Sequence, residues 1–434
     1  MEIVDTLVTK TAWLGEFPAH WEVLRIKNLF QEMDSRSETG NEELLSVSYY
    51  TGVTLKRESL ENEDDHITNA LSLVGYKIVA KDDLIINIMG AWNGRLGISP
   101  YNGITSPAYC VYRLKGNNNP EYFGYLFTTN LFISEFRKNS TGIGSGFLRL
   151  YSDKLFSIFS VVPPKEEQDE IVQHIKEQSR KINQFIQKKK RFIELLKEQR
   201  QSIINHAVTK GINLKAKFNK SKYGLLPENW LSKRLKFIAD IQFSSVDKHS
   251  LEDEIPVRLC NYVDVYKYDY ITDDLEFMIA TATESEIERF KVLKGDVIIT
   301  KDSEEASDIA VPTFVKEDLE NVVCGYHLAM IRADETQILS EYIFRAFQSK
   351  DINSHFVVEA TGVTRVGLSM GEITGVRISY PKSLEEQKQI VEQIKTETKT
   401  IDTTIAKAER EIELIKEYKE AMIAEAVMGK IKLN

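Results

Sequence analysis

The chain repeats itself, and this internal duplication constrains its fold more than any other feature of the sequence. A short motif returns 209 residues later with five identical residues: Gly15, Pro18, Trp21, Arg25 and Lys27 match Gly224, Pro227, Trp230, Arg234 and Lys236. Two longer matching stretches begin at Glu166-Glu167-Gln168 and Glu385-Glu386-Gln387 and keep an offset of 219. Registers held over such lengths indicate a tandem duplication, in which each half is one structural unit.

Each half has the same order of segments: the shared motif, a globular region and a long charged segment. The first globular region contains runs of β-branched and aromatic residues at 44–50, 84–89 and 109–112, which are typical of strands. A helix is predicted over 121–136, with a counterpart over 340–347. The fold class that follows is α+β, with two tandem mixed α/β domains.

Prolines mark the points where the globular regions end. Pro163-Pro164 and Pro381 disfavour α geometry in the residue before them and suit the first turn of a helix. The predicted segments are, in order, a first domain over 1–163, a central long helix over 164–211, a linker over 212–226, a second domain over 227–380 and a C-terminal long helix over 381–434.

Both long helices carry apolar residues on a four-three spacing, which predicts a coiled coil of about five heptads. The predicted interface residues are Ile171, Ile175, Ile182 and Leu196 in the first helix and Ile390, Ile394, Ile401 and Ile415 in the second. The same spacing places Phe185, Phe192 and Tyr418 in this interface. A helix with so narrow an apolar stripe needs a packing partner.

Charge indicates what that partner is. Residues 165–200 carry ten Lys/Arg against seven Asp/Glu, whereas residues 385–420 carry seven against ten. Opposite surpluses favour pairing the two helices with each other, antiparallel, with the two domains related by an approximate two-fold axis. Two separate surface helices are the alternative.

Composition points to a cytoplasmic protein without membrane contact. No apolar run approaches the roughly 18 residues that span a bilayer, and no basic and apolar leader opens the sequence. Cys110, Cys260 and Cys324 suit reduced thiols. The net charge of −9 is unlike that of a nucleic-acid binder that works alone, so any such binding needs local patches or a partner's surface.

Motifs for catalysis are absent or incomplete. Asn119-Pro120-Glu121-Tyr122 has three of the four residues of an adenine-methyltransferase motif, but no glycine-rich cofactor loop precedes it, and Pro120 more simply begins a helix. The sequence contains no phosphate-binding loop and no Pro-Asp nuclease motif, and its histidines lack metal-ligand spacing. We therefore expect no catalytic residue, metal or cofactor on this chain.

The ordered set of motifs resembles the specificity subunit of type I restriction–modification systems. The resemblance rests on the Gly-x-x-Pro-x-x-Trp motifs, the two Glu-Glu-Gln helix openings, the Ala-Val-Thr-Lys-Gly-Ile stretch from Ala207 to Ile212, and the stretch from Thr361 to Leu368. It covers both halves of the chain. It implies two target-recognition domains, an antiparallel coiled coil and no catalysis by this subunit.

The same resemblance implies partners and a defence role against foreign DNA. Two modification subunits, which bind S-adenosylmethionine and methylate adenine, would dock against the helices, and restriction subunits that use ATP and Mg would join them. The double-stranded DNA target would be bipartite, with one half-site for each recognition domain and a spacer whose length the helices set.

Loop residues able to bind bases are the candidate DNA contacts, since Arg, Lys, Asn, Gln, Ser and Thr make the sequence-specific hydrogen bonds. The candidates are Lys56, Arg57, Trp92, Asn93 and Arg95 in the first domain and Lys301, Ser303, Thr364 and Arg365 in the second. The turns at 92–95 and 301–303 are expected to be equivalent. For each residue the alternative is an ordinary solvated loop position.

A protein-binding adaptor with two similar heads is the alternative function. The two hypotheses differ in whether one split DNA sequence is preferred over bulk DNA.

Overall fold

The protein divides into two compact units, each of which contains one globular domain and part of each long helix. The computed structural model describes residues 11–48, 52–56, 72–142, 148–213, 215–221 and 224–431. Unit 1 comprises Met1–Lys189 and Arg410–Asn434, and unit 2 comprises Lys190–Glu409. Both divisions fall inside a helix rather than in a loop.

Unit 1 is built from short strands followed by helices. Its elements are β1 (Glu22–Arg25), α1 (Ile26–Leu29), β2 (Phe30–Met33), β3 (Leu45–Ser48), β4 (Gly52–Leu55), β5 (Lys77–Val79), β6 (Leu84–Asn87), β7 (Leu96–Ile98), β8 (Gly103–Thr105), β9 (Tyr109–Leu114), α2 (Pro120–Phe127), α3 (Asn130–Asn139), α4 (Ser152–Ser157), β10 (Phe159–Val162) and the first part of α5 (Lys165–Lys210). Short 3-10 turns lie at Ala12–Leu14 and Ala91–Asn93.

Unit 2 follows the same plan with a larger total number of elements. They are β11 (Phe218–Ser221), β12 (Gly224–Pro227), β13 (Trp230–Arg234), β14 (Ala239–Phe243), β15 (Ile255–Cys260), α6 (Tyr262–Lys267), β16 (Tyr270–Ile271), β17 (Met278–Ala282), α7 (Glu284–Phe290), β18 (Val297–Thr300), β19 (Asp302–Ser303), β20 (Pro312–Val315), β21 (Val322–Cys324), β22 (Leu328–Ala333), α8 (Ser340–Phe347), α9 (Lys350–Glu359), β23 (Val366–Gly367), α10 (Met370–Gly375), β24 (Arg377–Pro381) and α11 (Leu384–Val427). Its 3-10 turns lie at Leu235–Phe237 and Ala306–Asp308.

The main sheets of the two units have matching strand orders. In unit 1 the antiparallel order is β2-β9-β6-β7, and in unit 2 it is β14-β22-β18-β20, with β16 added in parallel at the edge. In both units the strand leading into the globular domain pairs with the strand leading out of it, β1 with β10 and β13 with β24. Each domain therefore begins and ends beside the start of its following helix.

The predicted strands are confirmed, but the single predicted helix over 121–136 is wrong. The chain forms two helices there, α2 and α3, because Thr129 ends the first and caps the second by accepting a hydrogen bond from the amide of Phe132. Short hydroxyl side chains compete with helical hydrogen bonds in this way. Pro120 occupies the first turn of α2, and the Asn119 side chain caps it, as a helix start requires.

Aromatic residues fill the space between these two helices and the sheet of unit 1. Phe123, Phe127, Phe132 and Phe136 are fully buried and touch one another through tilted or edge-on ring contacts. Burying each such ring contributes about 1.5–3 kcal/mol. This cluster anchors α2 and α3 to the sheet, where Phe30 of β2 contacts Phe123 and Phe127.

The buried residues of the long helices recur every 11 residues. Ile171, Ile182, Ile193 and Ile204 are buried in α5, and Ile390, Ile401 and Ile412 are buried in α11. Eleven residues complete almost three helical turns, so this spacing keeps one face of a nearly straight helix buried.

The heptad prediction is therefore wrong at its aromatic positions, although it holds at Ala408 and Met422, which are buried. Phe185, Phe192 and Tyr418 are 39%, 41% and 59% exposed. A straight helix drifts by about 20° per heptad relative to a seven-residue repeat, and after about three heptads the buried position has moved to the next residue. Of the other predicted interface residues, Leu196 and Ile415 are half-buried, and the remaining six are buried.

Within each unit the two helices pack antiparallel. In unit 1 Lys189 forms an ion pair with Glu411, while Lys419 donates to Asn183 at 3.2 Å. In unit 2 the Nε of Arg200 donates to Asp402 at 2.8 Å. In unit 1, partner numbers fall along one helix as they rise along the other, which confirms the predicted orientation.

Equivalent contacts fix the globular domain of each unit to the helices. In unit 1 the indole nitrogen of Trp21 donates to Glu167 at 2.8 Å, and in unit 2 that of Trp230 donates to Glu386 at 3.0 Å. At the other helix end, a Cβ added at Gly429 would lie 2.8 Å from the ring of Trp21. Each tryptophan thus contacts the start of one helix, and the Trp21 ring also leaves no room for a side chain at Gly429.

Candidate nucleic-acid interface

In each unit, most of the candidate residues that the structure describes lie beside a turn that follows β6 or β18. In unit 1 the amide of Leu150 donates to the carbonyl of Ile88 at 2.9 Å, and in unit 2 the amide of Leu368 donates to that of Lys301 at 2.8 Å. The loop that precedes α4 or α10 is therefore docked on the same turn in both units.

These hydrogen bonds correct one expectation. Lys301 corresponds in position to Ile88, so the turn at 301–303 matches 88–90, and the turn at Ala91–Asn93 matches Ala306–Asp308. The expected equivalence of 92–95 with 301–303 is wrong because 301–303 follows its strand directly, whereas 92 is the fifth residue after Asn87; unit 2 also has two more residues between its strand and its 3-10 turn. Sequence spacing alone does not show where such an insertion falls.

In unit 2 the structure brings three of the four predicted residues together. The two-residue strands β19 and β23 pair, with Asp302 opposite Gly367 and Ser303 opposite Val366. This pairing places Arg365 beside the 301–303 turn, and its guanidinium lies 3.6 Å from Asp302.

The loop that carries Arg365 depends on a glycine. Gly362 has φ +148°, and a Cβ there would lie 1.9 Å from the carbonyl oxygen of Arg365. Thr364 is exposed beside it, and Val363 is fully exposed at the tip.

Lys301 is held in place by aromatic rings. Its ammonium lies 4.2 Å from the ring centre of Tyr326 and 5.1 Å from that of Phe243. Desolvation by these neighbours lowers the pKa of Lys301, and the nearby carboxylate of Asp302 partly opposes the shift. A cation fixed by two rings gives a defined position for a phosphate or base contact.

Ser303 is buried, unlike the other candidates that the structure describes. Its hydroxyl lies 3.2 Å from that of Tyr262 in α6, and the ring of Tyr262 stacks on Tyr266 at 5.8 Å. Ser303 therefore supports this pair of tyrosines rather than facing solvent itself. Tyr266 is exposed beside them.

In unit 1 the candidates Trp92, Asn93 and Arg95 share one tight turn. The indole of Trp92 donates to the carbonyl of Met89 at 2.8 Å, and the guanidinium of Arg137 lies 5.7 Å from its ring. Arg95 is exposed, whereas Trp92 and Asn93 are half-buried.

The Arg95 side chain lies against Gly90. A Cβ there would approach the Arg95 Cδ to 2.6 Å, so only glycine allows this position. Lys56 is half-buried just after β4, on a different element, and Arg57 lies outside the described residues.

Two residues that sequence analysis missed, Tyr326 and His327, belong to the same surface of unit 2. They precede β22, and the amide of Lys301 donates to the His327 carbonyl at 3.0 Å. The imidazole Nδ1 lies 2.8 Å from a carboxylate oxygen of Asp302. Their position before an apolar strand was the only available signal, because β18 and β22 pair across a long sequence separation.

The described part of the chain contains no group of three or more His, Cys, Asp or Glu side chains placed to hold a metal ion. None of its helices combines the length and the apolar run that crossing a bilayer requires.

Comparison with known proteins shows that both halves match the same family. The sequence model of the family described as "Type I restriction modification DNA specificity domain" matches residues 18–195 and again residues 227–414. The type I restriction enzyme MjaVIII specificity subunit of Methanocaldococcus jannaschii is 22% identical over 420 residues, which cover 96% of this chain and 94% of that protein.

Solved structures have the same fold. A chain from a study of complex assembly and conformational transition of the type I R-M system superimposes with a TM-score of 0.67 at 14% identity, over 96% of this chain and 100% of that one. The HsdS subunit from Thermoanaerobacter tengcongensis gives a TM-score of 0.52 at 15% identity, over 97% of this chain and 100% of that one.

Proposed function

Since this chain belongs to the family of type I restriction–modification DNA specificity subunits, which are non-catalytic components of those systems, we propose that each unit binds one half of a bipartite DNA target. Unit 1 would contact its half-site through the turn that carries Trp92, Asn93 and Arg95, and through Lys56 and Arg57. Unit 2 would use Lys301, Thr364 and Arg365, with Ser303 as support.

The observation that carries this proposal is that one framework presents two different surfaces. The docked turn is apolar in unit 1, where it begins with Ile88 and Met89, and charged in unit 2, where it begins with Lys301 and Asp302. Base contacts give specificity through the donors and acceptors that a loop presents. Two equivalent positions with different side chains suit two different half-sites.

The partners complete the function. We infer that two adenine methyltransferase subunits, which carry S-adenosylmethionine, dock on the helices, and that restriction subunits using ATP and Mg join them. A net charge of −9 leaves this chain poorly suited to bind the DNA backbone alone, since phosphate contacts require a local basic excess. Basic surfaces of the partners would supply much of the binding free energy that comes from phosphate contacts.

The helices would set the spacer between the half-sites. Each helix passes from one unit into the other without interruption, Lys165–Lys210 and Leu384–Val427. A continuous helix has a fixed rise of about 1.5 Å per residue, so its length is a suitable ruler for unread base pairs.

Adenine methylation in a host that lacks it tests the proposal. The chain is expressed with its methyltransferase subunits, and methylated adenines are mapped by long-read sequencing; the methyltransferase subunits alone are the control. We expect one split motif that requires this chain. Two results would refute the proposal and favour the two-headed protein-binding adaptor. One is methylation that follows no sequence motif, and the other is a methylation pattern that is the same with and without this chain.

A further inference from the structure

We propose that His327 is a specificity-determining residue of unit 2, whose Nε2 accepts a hydrogen bond from a base amino group, and that Asp302 is its positioning residue. This inference rests on the proposed function. It concerns a residue outside the loops that sequence analysis selected.

Three segments distant in sequence converge at His327. They are the turn at 301–303, the connection at 325–327 between β21 and β22, and the loop at 361–367 before α10. The surface they form carries two cations, Lys301 and Arg365, beside one carboxylate, Asp302. This mixture of donors and acceptors is typical of base recognition rather than of a simple phosphate patch.

The imidazole of His327 is held on two sides. Its Nδ1 lies 2.8 Å and 3.0 Å from the two carboxylate oxygens of Asp302. The ring of Tyr326 packs against it edge-on, with the centres 5.1 Å apart and the planes at 80°. The side chain is nevertheless 39% exposed, so part of the ring faces solvent. A ring fixed in this way offers a ligand a nitrogen in a defined direction.

Asp302 determines which nitrogen carries the proton. Its carboxylate only accepts hydrogen bonds, so a neutral imidazole beside it donates from Nδ1 and keeps Nε2 as an acceptor. Asp302 is itself immobilised, because it pairs with Gly367 in the β19–β23 ladder and its side chain is 16% exposed.

The chemistry of the acceptor selects the base. In the major groove adenine presents its N6 amino group and cytosine its N4 amino group, whereas guanine and thymine present oxygens there. An Nε2 acceptor can therefore pair with adenine or cytosine and excludes guanine and thymine. Unit 1 has Ala108 at the position corresponding to His327, as the alignment of β9 with β22 shows, so this contact would be peculiar to one half-site.

The test uses the whole complex of this chain with its methyltransferase subunits, acting on a DNA pool randomised in both half-sites. His327→Ala should lower discrimination about tenfold at a single position of one half-site, where the wild type requires adenine or cytosine. His327→Lys, which presents only donors, should shift that position toward guanine or thymine.

Asp302 is tested at the same base position. Asp302→Ala should weaken discrimination there, whereas Asp302→Asn, whose side-chain oxygen still accepts from Nδ1, should restore it. A merely structural role for Asp302 would lower total methylation equally at every position and would not be rescued in this selective way.

A matched control is available in unit 2. His249 also lies beside an aspartate, with its Nδ1 2.5 Å from Asp247, but on a separate, highly exposed loop. His249→Ala should leave every position unchanged.

The outcomes separate the two proposals. A wild-type complex without any split motif would refute the proposed function. An unaltered motif in His327→Ala, or a uniform loss at all positions, would leave that function standing and overturn the role of His327.

Discussion

The two units agree in the residues that join the globular domain to the helices and differ in the residues that surround the docked turn. Tyr122 donates to the carbonyl of Val427 at 2.9 Å, and Tyr342 donates to that of Val208 at 3.4 Å. Each unit thus holds the C-terminal end of a helix with an equivalent tyrosine. The contacts of Trp21 and Trp230 repeat in the same way.

A buried glutamine repeats as well. The side chain of Gln168 donates to the carbonyl of Pro163 at 2.8 Å and accepts from the amide of Asn119 at 2.7 Å. Gln387 donates to Pro381 at 2.8 Å and accepts from Leu339 at 2.8 Å. Duplication therefore preserved the polar contacts whose loss would leave buried backbone groups unpaired.

The residues around the docked turn, in contrast, differ between the two units. Unit 1 has Met89 and Ala108 where unit 2 has Asp302 and His327. Residues that match between the two halves therefore maintain the architecture. Residues that differ at equivalent positions are the candidates for DNA sequence specificity. The following experiments test that division.

The largest effect is expected from the tryptophans. Trp21→Ala and Trp230→Ala should each lower the free energy of unfolding of their own unit by about 3–5 kcal/mol, because a buried ring and its hydrogen bond are lost. Hydrogen exchange followed by mass spectrometry measures each unit separately. Trp230→Phe, which keeps most of the buried area, should lose less. A loss in only one of the two alanine variants would contradict the equivalence.

The buried glutamines come next. Gln168→Leu or Gln387→Leu should cost about 3 kcal/mol, because an amide and at least one carbonyl lose their partner without access to water. Urea unfolding of each variant measures the change. The exposed Gln173 in the same helix as Gln168 is the control, since Gln173→Leu should leave stability nearly unchanged. Equal effects at Gln168 and Gln173 would show that the buried contacts are unimportant.

The arginines at the turns should separate the half-sites. Arg95→Ala should cost about 1–3 kcal/mol of discrimination at positions in the unit 1 half-site, and Arg365→Ala the same in the unit 2 half-site. Methylation of a randomised DNA pool by the assembled complex measures both. A uniform loss across all sequences would identify these residues as phosphate contacts, and unchanged specificity would exclude them from the interface.

The smallest effect is expected from the tyrosine hydroxyls. Tyr122→Phe should lower stability by about 1 kcal/mol, the usual value for one buried hydrogen bond. The Tyr342 hydroxyl also donates to the carbonyl of Ser379 at 3.1 Å, but both of its hydrogen bonds are longer than that of Tyr122. Tyr342→Phe should therefore lower stability by a similar amount or less. Thermal unfolding of the two variants tests this order. A much larger loss in either would mean that the phenylalanine ring cannot take the same position.

Much of the architecture could be predicted from the sequence, because the two halves of the chain can be aligned with each other. Trp21, Trp230 and the two Glu-Glu-Gln stretches repeat in the sequence, and they make contacts that the two units share. The strands also followed from local residue preferences. In the second domain the predicted Lys301 and Arg365 do lie together.

What could not be predicted depends on geometry between distant residues. A sequence with isoleucines every 11 residues also contains four-three spacings, and only the twist of the packed helix decides which phase is buried. The position of His327 depends on the pairing of β18 with β22, which no local pattern gives. The break at Thr129 was hidden because Leu131 and Phe136 continue the apolar periodicity beyond it.

The placement of the unit boundaries has a consequence for how genes of this kind can change. Lys190 and Glu409, where unit 2 begins and ends, occupy equivalent positions in the two repeated helices. Recombination within both helix-coding stretches of two such genes would therefore exchange unit 2 as a whole, with its buried core intact and the helical phase preserved. A crossover at the edges of the globular domain would instead separate Tyr342 from Val208. The repeated helices thus provide crossover positions at which one recognition surface can be exchanged for another without disrupting the core of the exchanged unit.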